Sequence, residues 1–219
     1  VEGDIRVSST VTQVITRDSR DYPEFPTSGS VASLTTELAG GLFTGDDAYH
    51  KHIFAMEWYA PFFPKLVLYN QVLYGFLAGY SKDPTDIPLL EYFFMGGSGL
   101  SLGTPLRGYE ERAVGPHSGS GGSALGGKSQ LKTSVELRVN LVDNPTIYGL
   151  LFAEAGNTWL NFDQTDPYDL KRSVGFGVRL FMPLVGLIGL DYGYGLDFFD
   201  STGRRVGQWK PHFQFGRQF

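Results

Sequence analysis

The chain contains no cysteine. Disulfide frameworks and thiolate metal sites are therefore excluded, which fits passage through an oxidising compartment. No run of about 18 apolar residues occurs, so no transmembrane helix is expected. The formal charge is only −5 and no basic cluster stands out, so no nucleic-acid partner is expected. Charged residues make up 19% of the 219, fewer than in an average soluble domain. No signal peptide is visible at Val1-Glu2-Gly3-Asp4-Ile5, which reads as a chain that was processed or cut from something longer.

Glycine and aromatics are plentiful instead: 29 Gly, 17 Phe and 12 Tyr. With little helix-forming sequence between them, they indicate an all-β chain with tight turns. Residues 130–142, QLKTSVELRVNLV, are the clearest segment. Leu131, Thr133, Val135, Leu137, Val139 and Leu141 share one face, and Lys132, Ser134, Glu136, Arg138 and Asn140 share the other. Period two over this length is a strand with one apolar and one polar face. The same alternation runs through 170–182, 208–219, 30–40 and 184–196. Segments near 4–16, 48–60, 66–80 and 146–159 are strand-like with mixed faces. About nine strands result, joined by turns such as PTSG, DNP and STGRR.

Strand length separates two architectures. A soluble β-sandwich alternates too, but its strands average about five or six residues. Here alternation persists for about ten to thirteen, the length a tilted strand needs to cross a bilayer. Aromatics gather near segment ends, at Trp159, Tyr192, Tyr194, Phe198, Phe199, Trp209 and Phe219, as in the girdles of outer-membrane barrels. Lys132, Glu136, Arg138, Lys171, Arg179, Asp191, Lys210 and His212 could not face lipid, but a hydrated lumen would accept them. Since only helices or closed barrels satisfy their backbone in lipid, the expected fold is all-β: an antiparallel up-and-down transmembrane β-barrel, or a large piece of one. Residues 1–219 then form a single barrel domain with a long extracellular loop at about 82–129. Nine strands leave two edges, and the expectation is that they close into a small barrel or pair between copies.

Catalytic motifs fail on context. Gly99-Leu100-Ser101-Leu102-Gly103 matches G-x-S-x-G, but a nucleophile elbow needs a strand–turn–helix in an α/β fold. A membrane-embedded hydrolase would be recognised by lipid or ester turnover lost in Ser101→Ala. The glycines at 96, 97, 99 and 103 are followed by no Gly-Lys-Ser/Thr, so no phosphate loop is expected. His50 and His52 share a strand face, yet two ligands without a third make no metal site. No enzyme, metal or cofactor is expected. HSGSGGSALGGKSQ (117–130) is Gly/Ser-rich and reads as flexible loop, natural or engineered.

Four segments in order, RDSRDYPEFPTSGS (17–30), FFMGGSGLSLGTPLRGYEERAVGP (93–116), LLFAEAGNTW (150–159) and HFQFGRQF (212–219), resemble landmarks of the BamA family, the insertases of the bacterial outer-membrane β-barrel assembly machinery. The resemblance implies a sixteen-stranded barrel preceded by periplasmic POTRA domains, of which this sequence holds about the last nine strands. It implies that Leu106-Arg107-Gly108-Tyr109 is the tip of an extracellular loop folded into the lumen, its arginine held by Glu136 and Glu154. Alternation places Glu136 on the polar face independently. Glu154 shares a face with Tyr148 and Phe152, so its inward placement rests on the resemblance. A guanidinium in a partly dry lumen needs several acceptors; without the family, pairing with nearby Glu110 or Glu111 in water is the simpler expectation. The C-terminal strand, with Phe213, Phe215, Gly216 and Phe219, resembles the β-signal of outer-membrane barrels.

The implied function is non-enzymatic insertion of other β-barrels into the bacterial outer membrane by strand-edge templating. The alternative is a two-partner-type secretion translocator of the same superfamily, which shares the Arg-Gly-Tyr/Phe loop. Implied partners are outer-membrane lipids, nascent barrel proteins and assembly-machinery lipoproteins that dock through periplasmic domains absent here. Self-association through the open edges is a further expectation.

Overall fold

The computed structural model describes residues 7–41, 45–80, 87–98, 103–119, 122–182, 186–198 and 206–216. Nine strands follow one another: β1 (Thr10–Asp18), β2 (Gly29–Ala39), β3 (Tyr49–Phe63), β4 (Leu66–Gly79), β5 (Ser129–Asp143), β6 (Thr146–Trp159), β7 (Lys171–Met182), β8 (Gly186–Gly195) and β9 (Gln208–Phe215). Each pairs antiparallel with the next, in the order β1 to β9, as an up-and-down barrel wall requires. The register slips at Pro61/Phe63 and at Asn140/Val142, each slip lying next to a short turn. Connections at 64–65 and 144–145 are short, whereas those at 80–128, 160–170 and 196–207 at the opposite end are long. Short turns at one end and long loops at the other are the habit of outer-membrane barrels.

The burial pattern is inverted relative to a water-soluble sheet. On β5, Lys132, Ser134 and Glu136 are buried while Val135, Val139 and Leu141 are exposed. On β7, Ser173 and Arg179 are buried and Val174, Phe176 and Val178 exposed; on β9, His212 and Gln214 are buried and Trp209, Phe213 and Phe215 exposed. A contiguous apolar face of this size would be a severe liability in water. Against hydrocarbon it is the favourable surface. We expect Leu151→Arg, at a position 59% exposed on β6, to lower stability in bilayers by about 2–4 kcal/mol. An exposed site on a water-soluble sheet would change by less than about 0.5 kcal/mol. Urea unfolding in lipid vesicles makes the comparison.

Strand β6 resolves its mixed faces. Tyr148, Leu150, Phe152 and Glu154 are all buried on the concave side; the first three join Tyr59, Val67, Tyr69 and Phe25 in one cluster. The inward face is thus apolar toward the short-turn end and charged further up. Phe25 comes from the β1–β2 connection, its ring centre 5.1 Å from that of Tyr148, so this segment folds under the concave face. Asp21 fixes its shape, accepting from the backbone N–H groups of Tyr22, Thr27 and Ser28 and from the Thr27 hydroxyl. Burial works against its charge, but these bonds outweigh it and hold the carboxyl down to about 2.

Two expectations are narrowed. Of the two fates expected for the strand edges, closure of the nine strands on themselves is not the one adopted: among the described residues β1 pairs only with β2 and β9 only with β8. The concave face holds residues 103–117 of the β4–β5 connection, and a barrel of about eight strands has an interior just wide enough for side chains, so closure would have to expel that segment. Not all the end-of-strand aromatics form a girdle. Trp159 is buried beside its partner Ser129, where Thr165 returns to meet the Ser129 hydroxyl. Phe198 stacks on Tyr109 at 4.9 Å. Tyr192 and Trp209 stack at 4.9 Å on the outward face. Phe199 and Phe219 lie outside the described residues.

Candidate functional site on the concave face

The β4–β5 connection builds its own small scaffold before it reaches the wall. Phe93 and Gly127 exchange backbone hydrogen bonds at 2.8 Å, and Met95 bridges to Thr104 and Val114. Met95, Leu106, Tyr109 and Val114 form a buried apolar cluster. That cluster gives the loop a rigid body, so its tip, Leu106-Arg107-Gly108-Tyr109, is presented to the strands in one geometry.

At the tip, Arg107 is buried. Its Nη2 donates to Glu136 Oε1 at 2.5 Å and to Glu154 Oε1 at 2.7 Å. Its backbone N–H donates to Glu154 Oε2 at 2.9 Å, so Glu154 grips side chain and main chain together. Nη1 lies 3.6 Å from Asp191 Oδ1, and the guanidinium sits 3.7 Å over the Phe152 ring. Gly108 N–H donates to His212 Nε2 at 2.7 Å, and the Tyr109 hydroxyl donates to the Arg172 carbonyl at 2.8 Å. The structure therefore brings Arg107, Glu136 and Glu154 together. Glu110 and Glu111 face elsewhere: Glu110 accepts from Lys210 at 2.8 Å and Glu111 from Ser98 N–H at 2.7 Å.

The carboxylates each hold a second cation. Glu136 accepts from Arg138 at 2.8 Å, Glu154 lies 3.2 Å from Lys132, and Asp191 chelates Arg179 through bonds of 2.7 and 2.8 Å. Arg138 in turn lies 3.7 Å over the Tyr69 ring. Four cations and three carboxylates thus alternate through the buried wall. Desolvation of isolated charges at this depth would cost several kcal/mol each, and only such mutual pairing offsets it. A cavity of about 650 Å³ separates the network from the β1–β2 side and reaches Asp18, Arg20 and Glu57 as well as Arg107, Glu136 and Glu154.

Asp191, His212, Lys132 and Phe152 are contacts that residue patterns alone did not single out. Alternation puts Asp191, His212 and Lys132 on polar strand faces; only the register sets Asp191 opposite His212 and both beside the loop. Glycines are the other unread signal. A Cβ on Gly193 would stand 2.6 Å from Gly108 N, and one on Gly108 would stand 2.8 Å from Gly195 N. The stripe on β8 is a groove in which the loop backbone lies.

Other candidates are placed differently. Phe213 and Phe215 point outward on β9, Gly216 N–H donates to the Leu187 carbonyl, and Phe219 is outside the described residues, as is 99–102 with Ser101. His50 and His52 are on the outward face near Phe76, 3.1 Å from each other, with Thr36 3.1 Å from His52. Among the described residues no group of three or more His, Cys, Asp or Glu converges as a metal site.

The chain matches the Omp85 superfamily domain over residues 2–219. It belongs to that superfamily. Omp85 relatives include an outer membrane protein assembly factor BamA from Nitratidesulfovibrio vulgaris, 29% identical over 95% of this chain and 25% of its own length. A SAM50-like protein of Schizosaccharomyces pombe is 29% identical over 84% of this chain, and the Xenopus laevis sorting and assembly machinery component 50 homolog A is 26% identical over 91%; each is covered to 43%. The chain thus spans a quarter to under half the length of these relatives. The Omp85 fold is matched by BamA from Haemophilus ducreyi lacking POTRA domains 1–3, with TM-score 0.70 over 94% of this chain and 42% of that one, at 17% identity. As an Omp85 β-barrel sequence the chain is integral to an outer membrane.

Proposed function

We propose that the protein to which this chain belongs assembles and inserts β-barrel proteins into the bacterial outer membrane, without enzymatic chemistry, by offering a strand edge to incoming strands. The observation that carries this reading is the match of residues 2–219 to the Omp85 superfamily domain, on a wall whose inward side chains, those of β9 among them, hold the loop. An unpaired edge presents backbone donors and acceptors in register, and alternate side-chain pockets add selectivity. The relatives' names, an outer membrane protein assembly factor and sorting and assembly machinery components, support the same activity. On this reading the partners are nascent barrel proteins, outer-membrane lipids and assembly lipoproteins, and the Arg107 network holds the loop that braces the wall.

Depletion of the full-length parent tests it. Outer-membrane barrel proteins are expected to fall together, with unfolded precursors accumulating. Unchanged barrel levels with loss of a single secreted substrate would instead identify a secretion translocator.

A further inference from the structure

Among the described residues β9 is attached to the rest of the chain in two ways. Along its backbone it pairs with β8 from Gln208 to Phe215. From its concave face it reaches the loop tip through His212, which accepts the Gly108 N–H at 2.7 Å, and through Lys210, which donates to Glu110 at 2.8 Å. The two ties differ in kind. Glu110 is exposed, and an exposed ion pair contributes little. His212 and Gly108 are both buried, and no water competes for a buried N–H.

The geometry also restricts what can replace the imidazole. Gly108 has φ +89° and is pressed against the β8 backbone, so its N–H cannot turn to find another acceptor. The bond requires an unprotonated Nε2. Its surroundings are ionic: Asp191 is the cross-strand partner of His212, with Arg107 in the same loop tip 3.6 Å from Asp191. Other partners of the tip lie elsewhere: Glu136, Glu154 and the Arg172 carbonyl on β5, β6 and β7, Asp191 on β8 and the Asp197 N–H just beyond it. Among the described residues, the buried bond from the tip to β9 is the one to His212.

We propose that His212 is a positioning residue that fastens β9 to the loop tip through Gly108, so that departure of the tip loosens β9. The consequence for barrel assembly rests on the function proposed above; the fastening itself does not. With the tip docked, β9 is held along its backbone and from within. With the tip withdrawn, the hold from within is lost, and a strand so loosened opens more readily.

Amide hydrogen exchange on the full-length protein in lipid nanodiscs tests this, with His212→Leu, which fills the space without accepting, and His212→Gln, whose Oε1 can accept. In His212→Leu the Gly108 and β9 amides are expected to exchange about tenfold faster, while β3 and β4 amides stay as in wild type. His212→Gln is expected to restore slow exchange. If the leucine variant leaves β9 exchange unchanged, or if leucine and glutamine variants exchange equally fast, the fastening role is overturned. Barrel assembly by the same proteins in liposomes is measured alongside. A wild-type protein that assembles nothing would remove the assembly reading while leaving the exchange result intact.

Discussion

Arg107→Ala is expected to release the loop before it unfolds the sheet. The substitution removes two short bonds to Glu136 and Glu154, the approach to Asp191 and the stack on Phe152. Breaking a buried ion pair by deleting one partner costs about 3–5 kcal/mol when it strands the other charge. Here the carboxylates are not stranded: Glu136 keeps Arg138, Glu154 keeps Lys132 and Asp191 keeps Arg179. The wall therefore keeps balanced charge, and the loss falls on docking of the loop, at about 3 kcal/mol, the lower end of that range. Limited proteolysis within 111–125 should accelerate by about a hundredfold, the Boltzmann equivalent of that loss, with a smaller fall in thermal stability. Arg107→Lys should recover part of the docking, because an ammonium lacks the planar fork that spans two carboxylates. Unchanged proteolysis in Arg107→Ala would show that the apolar cluster of Met95, Leu106, Tyr109 and Val114 positions the loop without help.

Strand period alone carried the architecture. Alternation in 130–142 and 170–182 made one face charged and one apolar, and the sheet turns the charged face inward on β5 and β7. The reason is physical: a one-residue slip would exchange the faces of a whole strand, so the pattern determines orientation wherever it is clean. Where it is not clean it is silent. Tyr148 and Phe152 on the face of Glu154 obscured the inward direction of β6, because a lumen packed against Phe25 accepts aromatics as readily as lipid does. Nor does position at a strand end say which way an aromatic points or what folds over it, and for that reason Trp159 is buried and Phe198 packs half-buried against the loop cluster. Which lumenal groups meet the loop is a matter of register and of backbone approach. Asp191 and His212 are ordinary members of polar faces until β8 and β9 are aligned, and glycines spaced along β8 look like turn-formers until a second backbone is laid across them.

That groove predicts a selective effect from the smallest change. Gly193→Ala adds one carbon on a strand residue, where alanine is a better choice than glycine by about 0.5–1 kcal/mol on backbone entropy alone. The new Cβ would stand 2.6 Å from Gly108 N and 3.1 Å from the carbonyl carbon of Arg107. Neither atom belongs to a flexible side chain that could swing aside. Gly108 N is held by His212 at 2.7 Å, and Arg107 is held by Glu154 through its own N–H at 2.9 Å. The tip must lift as a unit, lengthening both bonds, and overpacking of this kind costs about 1–3 kcal/mol. We expect the loop of Gly193→Ala to become about tenfold more susceptible to protease, with faster exchange at Gly108. Gly149→Ala on β6 is the matched control: its nearest neighbours would be Val139 and Leu141 side chains at 3.6 and 3.7 Å, ordinary contact, so loop and sheet should be unaffected or slightly more stable. Equal behaviour of the two variants would mean that the loop does not press on β8 in the membrane. A selective effect at Gly193 would mean that the glycine stripe holds the loop as directly as the charges do.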